Sequence, residues 1–546
     1  MPPHNPRTVL STHEVTNQAS ALVNVNLFSA DAILRDAAGW SGAGVYDARL
    51  AAFGAEIGSE QTQDEGRLAN AYGPVFKPFD RFGRRIDEVE FHPAYHALMA
   101  RGFQAGVANA AWTSDQAGHA LHVGLLMLMG MADGGVCCPM SMTYAAAPAL
   151  RAEPSVAEAW TGKIIASGYD ARFLPPEQKT ACTVGMAMTE KQGGSDVRAN
   201  TTRAALQGDG SYRLTGHKWF CSAPMSDAFL TLANTDEGLT CFLAPRWRPD
   251  GERNGIEIQR LKDKLGDRSN ASSEIEYKEA FAWRVGPEGR GVRTIIEMVS
   301  LTRLDCIAGS AGLMRHAVAL AAWHAAGRSA FQRRLIDQPL MRAVIADLAI
   351  DAEAGVALAF RLAMALDHGG AREAALARIG LPLGKFVVCK RAPSVAAEAM
   401  ECLGGAGYVE ESGLPRLFRA SPLNAIWEGS GNVIALDMIR ALQREPECRE
   451  ALLAEFAAAR GANSGLDRAI DAAHAVLAGP IAEADARFAA ERLALTLAGA
   501  VLARFAPVEV SDAFAARRLN DISLTFGAGA SSVNQDALIA RAALAA

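Results

Sequence analysis

Between Cys182 and Val285 the hydrophobic pattern changes its period, and no other feature constrains the fold as much. Phe229–Ala233, Leu239–Pro245, Gly255–Ile258 and Ser273–Tyr277 are short, several alternate apolar with polar, and turn residues separate them. Half-buried strands read this way. On either side apolar residues recur at three- and four-residue spacing, as in Ile345, Leu348, Ala352, Val356 and Ala359, which marks one face of a helix. A small antiparallel barrel or sandwich is therefore predicted between two helical regions. At 546 residues the chain is too long for one core. The expected class is α+β, mainly α. It comprises an arm and all-helical domain over 1–180, an antiparallel β domain over 181–285, a helical bundle over 286–444 and further helices over 445–546.

Within the helical parts, helices are expected over 106–132, 298–323 and 339–366, and over 383–403 after Pro382; Met140–Leu150 is expected to break at Pro148. In the tail, 451–460, 466–477, 481–505 and 512–524 fit amphipathic helices. The net charge of −6 gives no global case for binding polyanions or membranes. The long apolar stretch 341–366 is interrupted by Arg342, Asp347, Asp351, Glu353 and Arg361, so no membrane span is read there. Nine cysteines without zinc-type spacing read as small buried side chains of a reducing cytosol, and the N-terminus lacks a signal-peptide pattern. His92, His96, His119 and His122 invite a metal hypothesis, and Asp115, His119 and His122 share helical spacing; packing roles are the expectation.

The stretch Gly185 to Ser222 carries the first chemical signal. A small apolar strand with Met186 and Met188 ends at Thr189, and a polar turn with Gly194 and Ser195 follows. Glycines there admit a ligand close to the backbone. A hairpin over 202–214 with an Asp-Gly turn runs on into Trp219, Phe220 and Ser222. Such a site can lay a flat heterocycle across two strands, Trp219 against one face and Thr189 and Ser222 within hydrogen-bonding reach. Taken alone, the turn is a weak signal, and an ordinary hairpin with a solvated turn is the better reading. Glu428, in Ala425-Ile426-Trp427-Glu428-Gly429-Ser430-Gly431-Asn432, is the only charged residue between Ala420 and Leu436. If buried, desolvation would raise its pKa, which suits a general base.

The run from Met188 through Ser222, MTEKQGGSDVRANTT followed by GHKWFCS, resembles the flavin-binding segment of the acyl-CoA dehydrogenase superfamily. The form with Lys191 and Gln192 looks like its AidB branch, flavoproteins of the adaptive response to DNA alkylation. The resemblance implies FAD as cofactor, a β domain between helical domains, a four-helix bundle and a homotetramer. Arg328 and Phe331 resemble the element that meets the FAD pyrophosphate or adenine across a subunit boundary, with Gln332 where a glycine is usual and Gln338 as the accompanying glutamine. Glu401, Gly404 and Gly405 resemble a turn that approaches the same dinucleotide. Ile426, Trp427, Gly429, Ser430 and Asn432 would line the flavin, and Glu428 would be the base of an α,β-dehydrogenation. Arg303 is a candidate for the cleft of an acyl-CoA-like substrate, isovaleryl-CoA being the type associated with this branch.

The helices after 444 point to the same branch, where they are associated with double-stranded DNA. Residues 445–546 nevertheless hold nine arginines, no lysine and thirteen acidic residues. A patch of Arg440, Arg444, Arg517 and Arg518, gathered from several subunits, is one expectation, with Arg504 ending the preceding helix. Pairing of Arg517 and Arg518 with Glu509 and Asp512 on a solvated face is the other. Three functional classes follow: a cytoplasmic flavin-dependent dehydrogenase, a DNA-associated protective flavoprotein with vestigial redox chemistry, and a binding protein that kept only the fold.

Overall fold

The computed structural model describes residues 6–520 and 523–545. The first five residues of the arm and residues 521–522, inside the helix expected over 512–524, lie outside them. The first region is not all-helical. After Glu60–Ala71 comes an antiparallel hairpin, Val75–Phe79 with Arg85–Glu90. Pro78 and a Cα register shift interrupt its alternation, which hides it in the sequence. The hairpin is tied to the barrel: Arg85 Nη2 donates to Ile258 O at 2.8 Å, and Ile258 N donates to Asp87 Oδ1 at 3.0 Å. Gly118–Ala132 and Gly134–Leu150 follow, both largely buried. The second runs through Pro148 instead of breaking there. A proline frees the carbonyl four residues back, and Tyr144 O is taken up by Trp112 Nε1 at 3.0 Å.

The strands close into a barrel rather than a sandwich. Ala228–Thr235, Gly238–Pro245, Ser272–Val285, Tyr212–Ser222 and Arg203–Leu206 pair in turn, and Arg203 returns to Asn234 to close the circuit. Two contacts are parallel, that closure and Val184–Ala187 on Ala228–Thr235. The alternation of inward Leu214, Phe229, Phe242, Ile275 and Tyr277 fills the interior.

Three long helices, Gly291–Gly327, Pro339–His368 and Gly370–Cys402, pack mutually, with Gly118–Ala132 and Gly431–Arg444 beside them. The third passes through Pro382 and Pro393 instead of starting after Pro382. Behind this bundle come Pro446–Ala459, Ser464–Leu477, Ala486–Phe505, Val508–Phe514, a π-helical turn over Ala515–Asn520, and Gln535–Ala542.

Buried charge fastens these last helices to the bundle. Arg518 donates to Asp347 Oδ1 at 2.9 Å and to Asp351 Oδ1 at 2.8 Å, and Arg391 also meets Asp351. Arg361 bridges Glu373 and Glu455, Glu455 takes Arg504 at 2.7 Å, and Arg541 forks onto Glu353 at 2.8 Å. Arg517 is buried too, beside Asp347 and donating to Ala528 O. The expectations for Arg517 and Arg518 are therefore both corrected. Neither side chain joins an exposed patch, and their acidic neighbours are on the bundle rather than Glu509 and Asp512. Among the described residues no helix is long and apolar enough to cross a membrane. The nine cysteines are free thiols, eight of them buried.

Breaking one partner of such a pair leaves an uncompensated buried charge. Arg518→Met is expected to lose ~3–5 kcal/mol in the docking of the C-terminal helices. Urea titration with limited proteolysis after residue 444 measures it, and unchanged protection would contradict this account.

Candidate functional site

One wall of the site is the turn 190–196, moored to the barrel by a buried carboxylate. Glu190 accepts from Thr201 N at 2.6 Å, Thr202 N at 3.1 Å and Lys218 Nζ at 2.9 Å, and Lys218 also donates to Leu232 O at 2.7 Å. Burial alone would raise the Glu190 carboxyl, but these donors outweigh it and hold it near 2. Trp219 N donates to Thr189 O at 2.7 Å. A Cβ at Gly194 would come within 2.4 Å of Thr189 Oγ1, so only glycine lets the turn fold this tightly. Ser195 is exposed on its lip.

The two aromatics of this wall differ in exposure, and Lys262 lies over both. The Trp219 ring carries Lys262 Nζ at 3.4 Å from its centroid, with Lys191 at 5.5 Å. A register shift between Lys218 and Cys221 leaves Phe220 as the more open ring, 51% exposed. Ser222 Oγ lies 3.1 Å from Ser272 Oγ and meets the Cys138 thiol, which burial pushes up to about 12. Met186 and Met188 join Cys138, Met142, Leu301 and Trp427 in one apolar cluster. The strand and the Glu428 loop, far apart in the chain, meet there.

Glu428 sits at φ +56° and Gly429 at φ +98°, directly before the helix Gly431–Arg444 with Ser430 at its N-cap. A left-handed glutamate is strained, and the loop is held by two cations underneath. Arg303 Nε donates to Glu428 O at 3.2 Å and Lys385 Nζ to Gly429 O at 2.8 Å. Arg303 also pairs with Asp437 at 2.7 Å. Its buried guanidinium is thus committed to the loop and to Asp437, which corrects its expected place as a substrate-facing cation. Trp427 Nε1 donates to Asn424 Oδ1 at 2.8 Å, and Ile426 is exposed. The Glu428 Oε2 atom is shut from solvent without a hydrogen-bond partner among the described residues. Burial raises this carboxyl above the usual glutamate range, against the pull of Thr302, Lys385 and Arg303.

The histidines are spent on packing. His122 lies 2.6 Å from Val107 O and 2.8 Å from Asp305 Oδ1, stacked on Tyr144, whose hydroxyl is 2.7 Å from His119 Nδ1. Burial lowers His119 to about 3. His96 meets the Tyr169 hydroxyl at 2.9 Å, and His92 caps the helix Pro93–Ala105.

The remaining expected residues lie on two other segments. Arg328–Arg334 forms a tight hairpin whose tip, Phe331 and Gln332, has φ of +49° and +63°; Phe331 is 93% exposed. Gln332 thus adopts the left-handed conformation that the usual glycine would. Gln338 donates to Ala330 O at 2.8 Å and so braces this hairpin. Glu401, Gly404 and Gly405 are exposed at the end of Gly370–Cys402, and a Cβ at either glycine would meet nothing. Among the described residues no hydrogen bond or ion pair joins either segment to the Glu428 loop. Asn432 accepts from Arg487 Nη1 at 2.7 Å, and Lys390 lies beside them. Cations at a helix N-terminus suit a phosphate. Open glycine backbone and cations at the helix start therefore fit a flavin dinucleotide, and one oxygen of the Glu428 carboxylate is left without a partner among the described residues. Lys385, Lys218, Glu190 and Thr302 were missed in the sequence. Lys385 was detectable as a lone charge in the apolar run Leu381–Val388.

Comparison with known proteins agrees with this geometry. Three family models match in order: the adaptive response protein AidB N-terminal domain over residues 17–171, the acyl-CoA dehydrogenase middle domain over 185–280 and the acyl-CoA dehydrogenase C-terminal domain over 289–443. The fold is similar to the crystal structure of Caenorhabditis elegans ACDH-11 in complex with C11-CoA, with a TM-score of 0.85 at 26% identity over 97% of this chain and 98% of that one. It is also similar to the Bd2924 apo-form, with a TM-score of 0.81 at 28% identity over 90% of this chain and 99% of that one. The chain belongs to the acyl-CoA dehydrogenase family, oxidoreductases built on an FAD-binding fold. Within that family it falls in the AidB branch: it is 45% identical over 507 residues to AidB of Escherichia coli (strain K12), covering 92% of this chain and 94% of that one.

Removing the Lys385 ammonium frees the Gly429 carbonyl and lets the strained loop relax. Lys385→Met is expected to slow substrate-driven flavin reduction by about 10–100-fold in the FAD-loaded fraction, the usual penalty for a misplaced reacting group, and to weaken FAD retention to a smaller degree. Stopped-flow reduction and the flavin-to-protein ratio measure the two effects separately.

Proposed function

We propose that the protein is an FAD-dependent dehydrogenase of a short or branched acyl-CoA, of the isovaleryl type, with Glu428 as its base. The observation that carries this reading is the buried, unpartnered Glu428 Oε2, in the residue after Trp427, which packs on the same apolar cluster as Met186 and Met188. FAD, when bound, supplies the hydride acceptor. Thr189, Ser222 and Phe220 would meet its ring, and Arg328, Gly404, Gly405 and Asn432 its dinucleotide. Because the Arg328 hairpin and the Glu428 loop are not joined within one chain, a homotetramer that brings them together from different subunits completes the reading. Glu428 takes the α-proton of the thioester. Thr302 steadies its carboxylate, Arg303 and Lys385 hold its backbone, and loop N–H groups stabilise the developing enolate. The cytoplasm is the proposed location.

Purified protein is expected to be yellow, with about one FAD per chain. Glu428→Gln keeps FAD and abolishes bleaching by acyl-CoA, because an amide cannot accept the proton. A raised carboxyl favours folding while protonated and costs stability once ionised. Its stabilising contribution is thus full below the unfolded glutamate pKa and lost as pH rises through the folded value. Glu428→Gln should therefore melt higher than wild type at pH 8, and the difference should vanish by about pH 4. Bleaching rates in the wild type should climb with pH along the same titration. A Glu428→Gln protein that bleaches at the wild-type rate would place the base elsewhere.

A second reading, a DNA-associated protective flavoprotein with vestigial dehydrogenase activity, has one observation in its favour. Arg440 and Arg444 are exposed on one helix, and no ion pair engages either among the described residues. We propose them as the contact to duplex DNA, in a role in the response to alkylation. Anisotropy titration of random duplex at several salt concentrations tests it. Arg440→Ala/Arg444→Ala should weaken binding and flatten its salt slope by about two, and an unchanged slope would exclude the patch.

A further inference from the structure

The arm before the first helix is not an idle tail where it crosses the Arg328 hairpin. Asn17, at φ +57°, pairs its side-chain amide with the backbone of Ser329: Nδ2 donates to Ser329 O at 2.8 Å, and Ser329 N donates to Oδ1 at 2.8 Å. The amide thus imitates one rung of a β-ladder and adds a third layer to the two-residue strands Ser329–Ala330 and Arg333–Arg334. On the same residue, Asn17 O accepts from Arg328 Nη1 at 2.7 Å, and Gln18 Oε1 lies 3.3 Å from that nitrogen. Ser20 O accepts from Trp323 Nε1 at 2.9 Å, and Ala19 lies so close to Gly327 that a Cβ there would come within 3.0 Å. Residues 17–20 therefore strap the end of Gly291–Gly327 and the start of the hairpin.

The partners of Arg328 differ in kind from those of its neighbours. Arg334 is neutralised by Asp337 at 2.8 Å, and the buried arginines behind the bundle all meet carboxylates. Arg328 meets only uncharged oxygens among the described residues, both through Nη1. Its charge is kept, its rotamer is fixed, and the Nε–Nη2 edge that grips a phosphate as a fork is uncommitted. Holding a long cationic side chain in one geometry before the anion arrives removes an entropy cost from binding.

We infer that Asn17 is a positioning residue for the cofactor: through Ser329 and Arg328 it pre-orients the guanidinium that receives the diphosphate of FAD, without touching the flavin itself. This rests on the FAD reading above and deepens it, because it makes cofactor retention depend on the arm rather than on the hairpin alone.

Equilibrium dialysis of full-length protein against FAD tests the inference. Asn17→Ala removes the amide, and Asn17→Gly removes it while keeping a residue at ease in the left-handed region. Both are expected to bind FAD about tenfold more weakly, the loss typical of hydrogen bonds that serve a charged group. The FAD-free variants should melt within about 2 °C of wild type, since an exposed arm contributes little to global stability. Arg328→Ala should weaken FAD as well, and Asn17→Gly/Arg328→Ala no further than Arg328→Ala alone, because both changes remove the same contact. Additive losses in the double variant, or FAD affinity within twofold of wild type in both Asn17 variants while Arg328→Ala binds weakly, would overturn the role of Asn17 and leave the cofactor reading standing. Undiminished affinity in Arg328→Ala would instead remove the cofactor from this hairpin, and the inference with it.

Discussion

Four charges buried on one helix hold the architecture together. Asp347, Asp351, Glu353 and Arg361 interrupt the apolar face of Pro339–His368, and each is answered from the C-terminal helices: by Arg518, Arg541 and Glu455. Charges in a low-dielectric interior are costly unless paired. The added helices are thus a condition for burying this face of the bundle, rather than an appendage placed on a finished one. The geometry also explains why the tail can be net acidic. Arg504, Arg517, Arg518 and Arg541, four of its nine arginines, are engaged by carboxylates or carbonyls, and Arg517 and Arg518 are buried.

The same economy shapes the site. Arg303 and Lys385 spend their charges on backbone carbonyls of the Glu428 loop, and Lys218 spends its own on Glu190. Buried cations here hold loops rather than ligands. Among the groups left uncommitted are Glu428 Oε2, the Arg328 fork and the open backbone of Gly404 and Gly405. Left-handed backbone at Glu428, Phe331 and Gln332 falls on two of these segments.

Much of this was legible in the chain itself. The switch of hydrophobic period placed the barrel between helices, and a lone glutamate amid neutral residues singled out the loop that proves to hold a buried, unpartnered carboxylate oxygen. Local patterns report local structure, because alternation and helical spacing arise from which face a residue turns inward. Proline rules misled at Pro148 and Pro382, where long helices continue. At Pro148 the carbonyl freed by the ring finds a partner, Trp112, distant in sequence.

What the sequence alone determined, then, is the barrel between helical regions and the family to which the chain belongs. The tertiary structure alone decided what each charge does. Arg517 and Arg518 look like a surface pair, Arg303 like a substrate ligand and Asn17 like part of a polar tail. Their roles follow from partners up to about three hundred residues away, as Asn17 from Ser329 is. A charge or an amide has no fixed function in one dimension, because its energy depends on burial and on the geometry of its neighbours, and only the folded chain supplies both.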